Sequence, residues 1–194
     1  NNIDEMIAFT KKAGLISLYH EGPFNSWGHF VLNPAQFPNG REGLKNCVTK
    51  AHAAGLMLGV HTLTNFINTN DPYVTPVPDD RLSFTGSSVL TKDVDAVSKE
   101  IELASSEYFN EVNNNNLHTI KIGKELIRYK SVSLTAPYIL SDCQRGAFGT
   151  TATAHKMGSA AGKLLDHAYN VFFPDINMQR ETAKNIATLM NETG

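Results

Sequence analysis

Only two cysteines occur in the 194 residues, Cys47 and Cys143, and they stand far apart. Cys47 falls on the apolar face of an expected helix, so it reads as a small buried hydrophobe rather than half of a disulfide, which leaves the redox compartment open. An excess of one charge is lacking too. Lys and Arg number 17 against 19 Asp and Glu, giving a formal net charge of -2 and a pI of about 6.4. No global basic field steers such a chain toward nucleic acid, so no nucleic-acid partner is expected. No apolar run approaches the roughly 18–20 residues that span a bilayer, and no membrane association is expected. Residues 1–20 lack the basic start and apolar block of a secretory leader. There is no Walker-type phosphate loop and no G-x-S-x-G elbow. "GSAAG" at 158–162 has neither the helix cap nor the acidic residue of a dinucleotide fingerprint, so no cofactor is expected.

What is present is a respectable apolar fraction, 41%, arranged in a repeated phrase. Asn2 and Glu5 resemble a capping box before Ile3, Met6, Ile7 and Ala13 on one face of a helix. Gly14 stops that helix, and "LISLY" at 15–19 reads as a buried strand. A second helix is expected at 41–54, with Leu44, Cys47, Val48 and Ala51 at the i, i+3, i+4, i+7 spacing. Gly55 then ends it and "LMLGV" at 56–60 follows as a second buried strand. Helix, glycine, strand, polar loop, written twice, predicts an α/β fold with a parallel sheet: a partial (β/α) barrel-type segment over residues 1–82.

The grammar changes after residue 82. Ile120, Ile122, Leu126, Ile127 and Tyr129 suggest strands broken by a turn at Gly123-Lys124, and "VNNNN" at 112–116 reads as a turn. Residues 83–165 are therefore expected to form an inserted antiparallel β-rich subdomain. Residues 166–194 are expected to return to αβ order and end in a helix, with Asp175 as its N-cap and Gly194 at its C-cap. Lacking an initiator methionine, starting and stopping on helices, and offering only two barrel-type strands, the chain reads as a fragment whose partners include the rest of its parent polypeptide. A complete (β/α)8 barrel takes about 250 residues.

Ligands of parallel αβ sheets bind at the carboxyl ends of the strands. Those ends carry His20-Glu21 and His61-Thr62-Leu63-Thr64-Asn65. Glu21 is the candidate catalytic carboxylate, as a general acid/base or a hydroxyl acceptor. His20, His61 and Asn65 are candidate binding residues. Trp27 and Tyr73 are candidate stacking rings, and Asp71, which opens the turn "DPYV", is either a ligand or an Asx-turn residue. His20, Glu21, His29 and His61 have zinc-type chemistry but spacings that match no established pattern, so no metal site is assigned. Arg145, in "CQRGAFGTTATAH", is expected to hold loop carbonyls or a carboxylate.

The stretch "FPNGREGLKNCVTKAHAAGLMLGVHTLTNFINTNDPYV" resembles a segment of α-galactosidase-like (melibiase-type) glycoside hydrolases, closely over about residues 37–75 and loosely over 3–36. The resemblance implies a (β/α)8 barrel that cleaves glycosidic bonds with two carboxylates and a carbohydrate substrate. Two departures matter. The family's acidic or tryptophan-containing motif is replaced by His61 to Asn65, and its nucleophile lies on a later strand with no counterpart here. The β insertion looks instead like small modules with "IxIGxExIxY" and "RGxxGTxAxxH" in other multidomain proteins, phage-tail-like ones included. The expectation is thus a glycoside hydrolase fragment whose nucleophile lies outside the chain. A polysaccharide-degrading parent would be periplasmic, cell-surface or secreted. The alternatives are a non-catalytic carbohydrate-binding or structural module and a metal-dependent hydrolase or lyase.

Overall fold

The computed structural model describes residues 2–110 and 117–194; the stretch read as a turn at 112–116 lies outside them. The chain divides into two compact units, residues 1–64 with 180–194, and residues 65–179.

The first unit contains the repeated phrase. Helix α1 (Ile3–Lys12) leads to strand β1 (Ser17–His20), a hairpin β2 (Phe24–Ser26) and β3 (Val31–Leu32) follows, and helix α2 (Gly40–Ala53) leads to strand β4 (Met57–Val60). Both helices stop in the same way. Gly14 and Gly55 take positive φ, at 70° and 75°, and the next amide returns to the last turn, Leu15 N–H to Thr10 C=O and Leu56 N–H to Ala51 C=O. Such a reversal at a left-handed glycine turns the chain back along its own helix. β1 and β4 then pair in parallel, Leu18 opposite Leu58 and His20 opposite Val60. Leu18, Leu56 and Ala51 form a small core with Ile3, Ile7 and Leu58 packed on it. Leu44, Cys47 and Val48 form another with Phe30, Phe37 and Leu189. The expected capping box at Asn2 is not made: its side chain gives no cap hydrogen bond to α1.

The second unit is built of short strands. β5 (Ile67–Asn68), β6 (Phe84–Val89), β7 (Ile101–Leu103), β8 (Thr119–Ile122), β9 (Glu125–Arg128), β10 (Ser131–Val132), β11 (Tyr138–Ser141), β12 (Ala160–Leu164), β13 (Asp166–His167) and β14 (Val171–Phe172) run in chain order. They form three sheets ordered β6-β12-β8-β9, β10-β11-β7 and β13-β14-β5, with antiparallel pairing throughout. Helix α3 (Ile176–Thr193) follows, capped as expected by Asp175, whose carboxylate accepts the Met178 N–H at 2.8 Å.

The barrel-type α/β architecture is overturned. The described residues form five small sheets of two to four strands and three α-helices, a β-rich fold without a barrel. The helix-glycine-strand phrase supplies one parallel pair and no more. A parallel strand needs a crossover of a dozen or more residues, whereas short turns such as Gly123-Lys124 permit antiparallel neighbours only. Residues 166–172, expected to resume αβ order, are two more antiparallel strands. No helix among the described residues is long and apolar enough to cross a membrane.

Two glycines fix how the four-stranded sheet is dressed. A Cβ at Gly86 would lie 2.3 Å from the Tyr108 ring, and one at Gly162 would lie 2.4 Å from the Phe84 ring. Each ring occupies the space where its glycine lacks a side chain. Gly86→Ala is therefore expected to cost about 1–3 kcal/mol through overpacking, measured by urea unfolding; a loss under about 0.5 kcal/mol would show that Tyr108 yields freely.

Candidate functional site

The parallel pair ends in two histidines on neighbouring strands, one residue out of register. Past the end of β4, the His61 N–H donates to the His20 C=O at 2.9 Å, so both side chains issue from adjacent strand ends. The His61 ring centre lies 6.5 Å from Tyr19 and 6.1 Å from Trp27, both edge-on. Trp27 comes from the tip of the β2–β3 hairpin. That tip is held by Asn185 of α3, whose side-chain amide donates to the Gly28 C=O at 3.0 Å. The polar loop after β4 is fastened by the Thr182 hydroxyl, which donates to the Thr64 C=O at 2.8 Å. His20 accepts the Gly22 N–H on Nδ1 at 3.2 Å and lies 5.7 Å from the Phe37 ring. Burial pulls the His20 pKa below the ordinary histidine value, which favours the neutral imidazole, able to donate from one nitrogen and accept on the other.

Glu21, directly after β1, is exposed. The Thr62 hydroxyl is buried with no hydrogen-bond partner among the described residues. An open carboxylate, two imidazoles and an indole in one small unit can hold a hydroxyl-rich ligand. The indole offers an apolar surface, and the other groups exchange hydrogen bonds with hydroxyls.

Asn65, Asp71 and Tyr73 lie in the second unit. Asn65 begins that unit and is exposed. Asp71 is fully buried; its carboxylate accepts the Tyr73 N–H at 3.0 Å, and its carbonyl accepts the Val74 and Thr75 amides at 2.8 and 3.1 Å. These bonds make it the organiser of an Asx-turn. Tyr73 is a core residue, with the Arg81 guanidinium 5.8 Å from its ring centre. Among the described residues no three His, Cys, Asp or Glu side chains converge to hold a metal ion.

The most elaborate polar cluster was not foreseen as a whole. Glu125, on β9, is fully buried and takes a two-point fork from Arg145, Nε to Oε1 and Nη2 to Oε2, both 2.8 Å. It also accepts the Gly146 and Thr153 amides at 3.0 and 3.1 Å and faces His155 Nε2 at 2.7 Å. Arg145 additionally donates to the Thr153 C=O at 2.6 Å and to the Asp95 C=O. The two roles weighed for Arg145, holding carbonyls or holding a carboxylate, are both filled. With every oxygen of Glu125 engaged, the cluster is a pin between β9 and the 145–155 loop. Its only trace in the sequence is the spacing of Arg145 and His155 around small residues.

Compared with known proteins, the chain matches no family model and no curated protein.

Proposed function

We propose that the chain is the carbohydrate-binding part of a glycoside hydrolase, holding a neutral sugar at the carboxyl ends of β1 and β4. The observation that supports this reading is the edge-on packing of Trp27 on His61, 6.1 Å apart, at the strand end where Glu21 leaves β1 exposed. The Trp27 ring receives the C–H face of the sugar. His61 and His20 exchange hydrogen bonds with its hydroxyls. Glu21 serves as the acid that protonates the glycosidic oxygen, and the second carboxylate that such hydrolysis requires comes from outside the chain. A single carboxylate at these strand ends equally favours a module that binds without cleaving, and hydrolysis separates the two.

Titration calorimetry of the chain with neutral oligosaccharides tests the binding. Trp27→Ala is expected to weaken it about tenfold, the scale of one aromatic contact. Glu21→Gln is expected to abolish cleavage of aryl glycosides by the longer polypeptide. Lack of binding by any neutral oligosaccharide at millimolar concentration would remove the reading, and cleavage that survives Glu21→Gln would reduce it to binding alone.

A further inference from the structure

In the four-stranded sheet of the second unit one face lies on a core, and the other is covered at Leu126 and open beside Phe84 and Lys121. Ile120, Ile122, Ile127 and Ala161 belong to the core. On the other side lies an open groove of about 510 Å³, lined by Phe84, Ser87, Lys121, Lys124, Asp80 and Gly162. Ser87 and Lys121 flank Gly162 in register on the neighbouring strands, so the three form one row across the sheet and their side-chain positions share a face. Phe84 fills the space above Gly162 yet is 43% exposed. A large apolar ring is thus held in place on the sheet with part of its surface left to the groove.

The charges beside that ring do not cancel. Lys121 is 8% exposed and its ammonium meets Asp80. An ammonium has three N–H donors, and among the described residues two of these are unspent on a side chain that is nine-tenths buried. Lys124 reaches the other oxygen of the same carboxylate at 3.1 Å. Hydrogen bonds from Lys121 and then Lys124 hold the Asp80 carboxyl below the ordinary carboxylate range. It is therefore ionised at neutral pH, and two lysines against one aspartate leave a net charge of +1. An ammonium at the groove with donors not spent on the protein favours an anion that can take them.

We infer that this groove is a binding site for an acidic saccharide, with the Phe84 ring under the sugar's C–H face and the Lys121 and Lys124 ammoniums on its carboxylate or sulfate group. An apolar flat surface beside a net positive charge fits a sugar ring that carries an anion; a neutral sugar would leave the positive charge without a counter-charge, and a bare anion would leave the ring uncovered. Asp80 pairs with both lysines and competes with the incoming anion. The site is separate from the one formed by Trp27 and His61 and does not rest on it.

The test is calorimetric titration of the whole chain with three probes of equal length: an oligogalacturonate, a sulfated galacto-oligosaccharide and its unsulfated counterpart. The first two separate carboxylate from sulfate recognition. Phe84→Ala is expected to weaken the acidic ligand about tenfold. Lys124→Gln, at an exposed position, is expected to weaken it up to about fivefold. Asp80→Asn is expected to tighten it severalfold, a change of sign that a purely structural ion pair would not produce. Neither Phe84→Ala nor Lys124→Gln should alter binding of the neutral probe. Thermal melts identify any variant that fails to fold, and Lys124→Gln, on the surface, keeps the test alive if Phe84→Ala does. The inference is overturned if neither acidic probe binds more tightly than the neutral one. It is equally overturned if folded Lys124→Gln and Asp80→Asn proteins bind the acidic probe as the parent does. Loss of neutral binding alone would count against the first site and leave this one standing.

Discussion

Replacing Glu125 with alanine is expected to destabilise the protein by about 3–5 kcal/mol, the usual cost of removing one partner from a buried ion pair. Its side chain and that of Arg145 are 0% and 6% exposed, so the substitution strands a guanidinium that water cannot reach. The amides of Gly146 and Thr153 lose their acceptors at the same time. Glu125→Gln keeps the shape and some of the hydrogen bonds, and should cost less. The same group sets an acid limit. Burial pushes the Glu125 carboxyl up, but the Arg145 fork, the Thr153 and Gly146 amides and His155 together pull it further down, leaving it below its ordinary value of 4.5. A carboxyl whose pKa falls on folding stabilises the folded state above the unfolded value, and that stabilisation fades as pH drops through the folded one. Urea unfolding at pH 7 and again below pH 4 should therefore show a smaller penalty for Glu125→Gln in acid than at neutrality. A penalty that is the same at both would mean that the charge of Glu125 contributes nothing to the pin.

The local grammar of the chain was legible where it depended on neighbours in sequence. The spacing of Leu44, Cys47, Val48 and Ala51 predicts the buried face of α2, and those are the buried residues of that helix. Gly14 and Gly55 mark both helix ends because a left-handed residue is needed there, and Asp175 caps α3. The Gly123-Lys124 turn separates β8 from β9, whose register runs from Thr119–Arg128 to Ile122–Glu125. The global architecture was not legible. Two helix-glycine-strand phrases say that two strands run parallel, but not that more will follow. The partner of β12 on one side is β6, far back in the chain, and no periodicity reports such a pairing.

The candidate sites divide along the same line. His20 and His61 were readable as strand-end residues because the apolar runs before them point to the strands. Asp71 and Tyr73 carried the right chemistry but lie in a buried turn and a core, which residue type does not reveal. Lys121 and Glu125 are charged residues within apolar strands, and residue type alone points such side chains to solvent. Both are buried, because the chain brings counter-charges to them from a distance, Asp80 in one case and Arg145 in the other. Alternation shows which side chains share a face. Whether that face is wet depends on residues tens of positions away.

Lys163 makes the same point and carries the second large effect. With Asp166 it forms an ion pair in which both side chains are 0% exposed and Nζ lies 3.3 Å from Oδ2. Its ammonium also donates to the Leu164 C=O at 2.7 Å, while Asp166 Oδ1 accepts the Leu117 N–H at 3.3 Å. Asp166→Ala leaves a buried ammonium without this counter-charge and the Leu117 amide without this acceptor, and is expected to cost about 3–5 kcal/mol. Lys163→Met alone leaves the carboxylate buried against one backbone amide, and should cost a similar amount. The double substitution Lys163→Met, Asp166→Ala removes both charges together. The Leu117 amide then lacks this acceptor and the Leu164 C=O lacks this donor, and each buried polar group left unsatisfied costs about 1–3 kcal/mol. The double variant is therefore expected to be more stable than either the Asp166→Ala or the Lys163→Met protein, a non-additivity that a thermodynamic cycle of urea unfolding curves reads directly. Strict additivity of the single losses would show that the two charges do not sense each other, and the pair would then have to be regarded as two separately solvated groups.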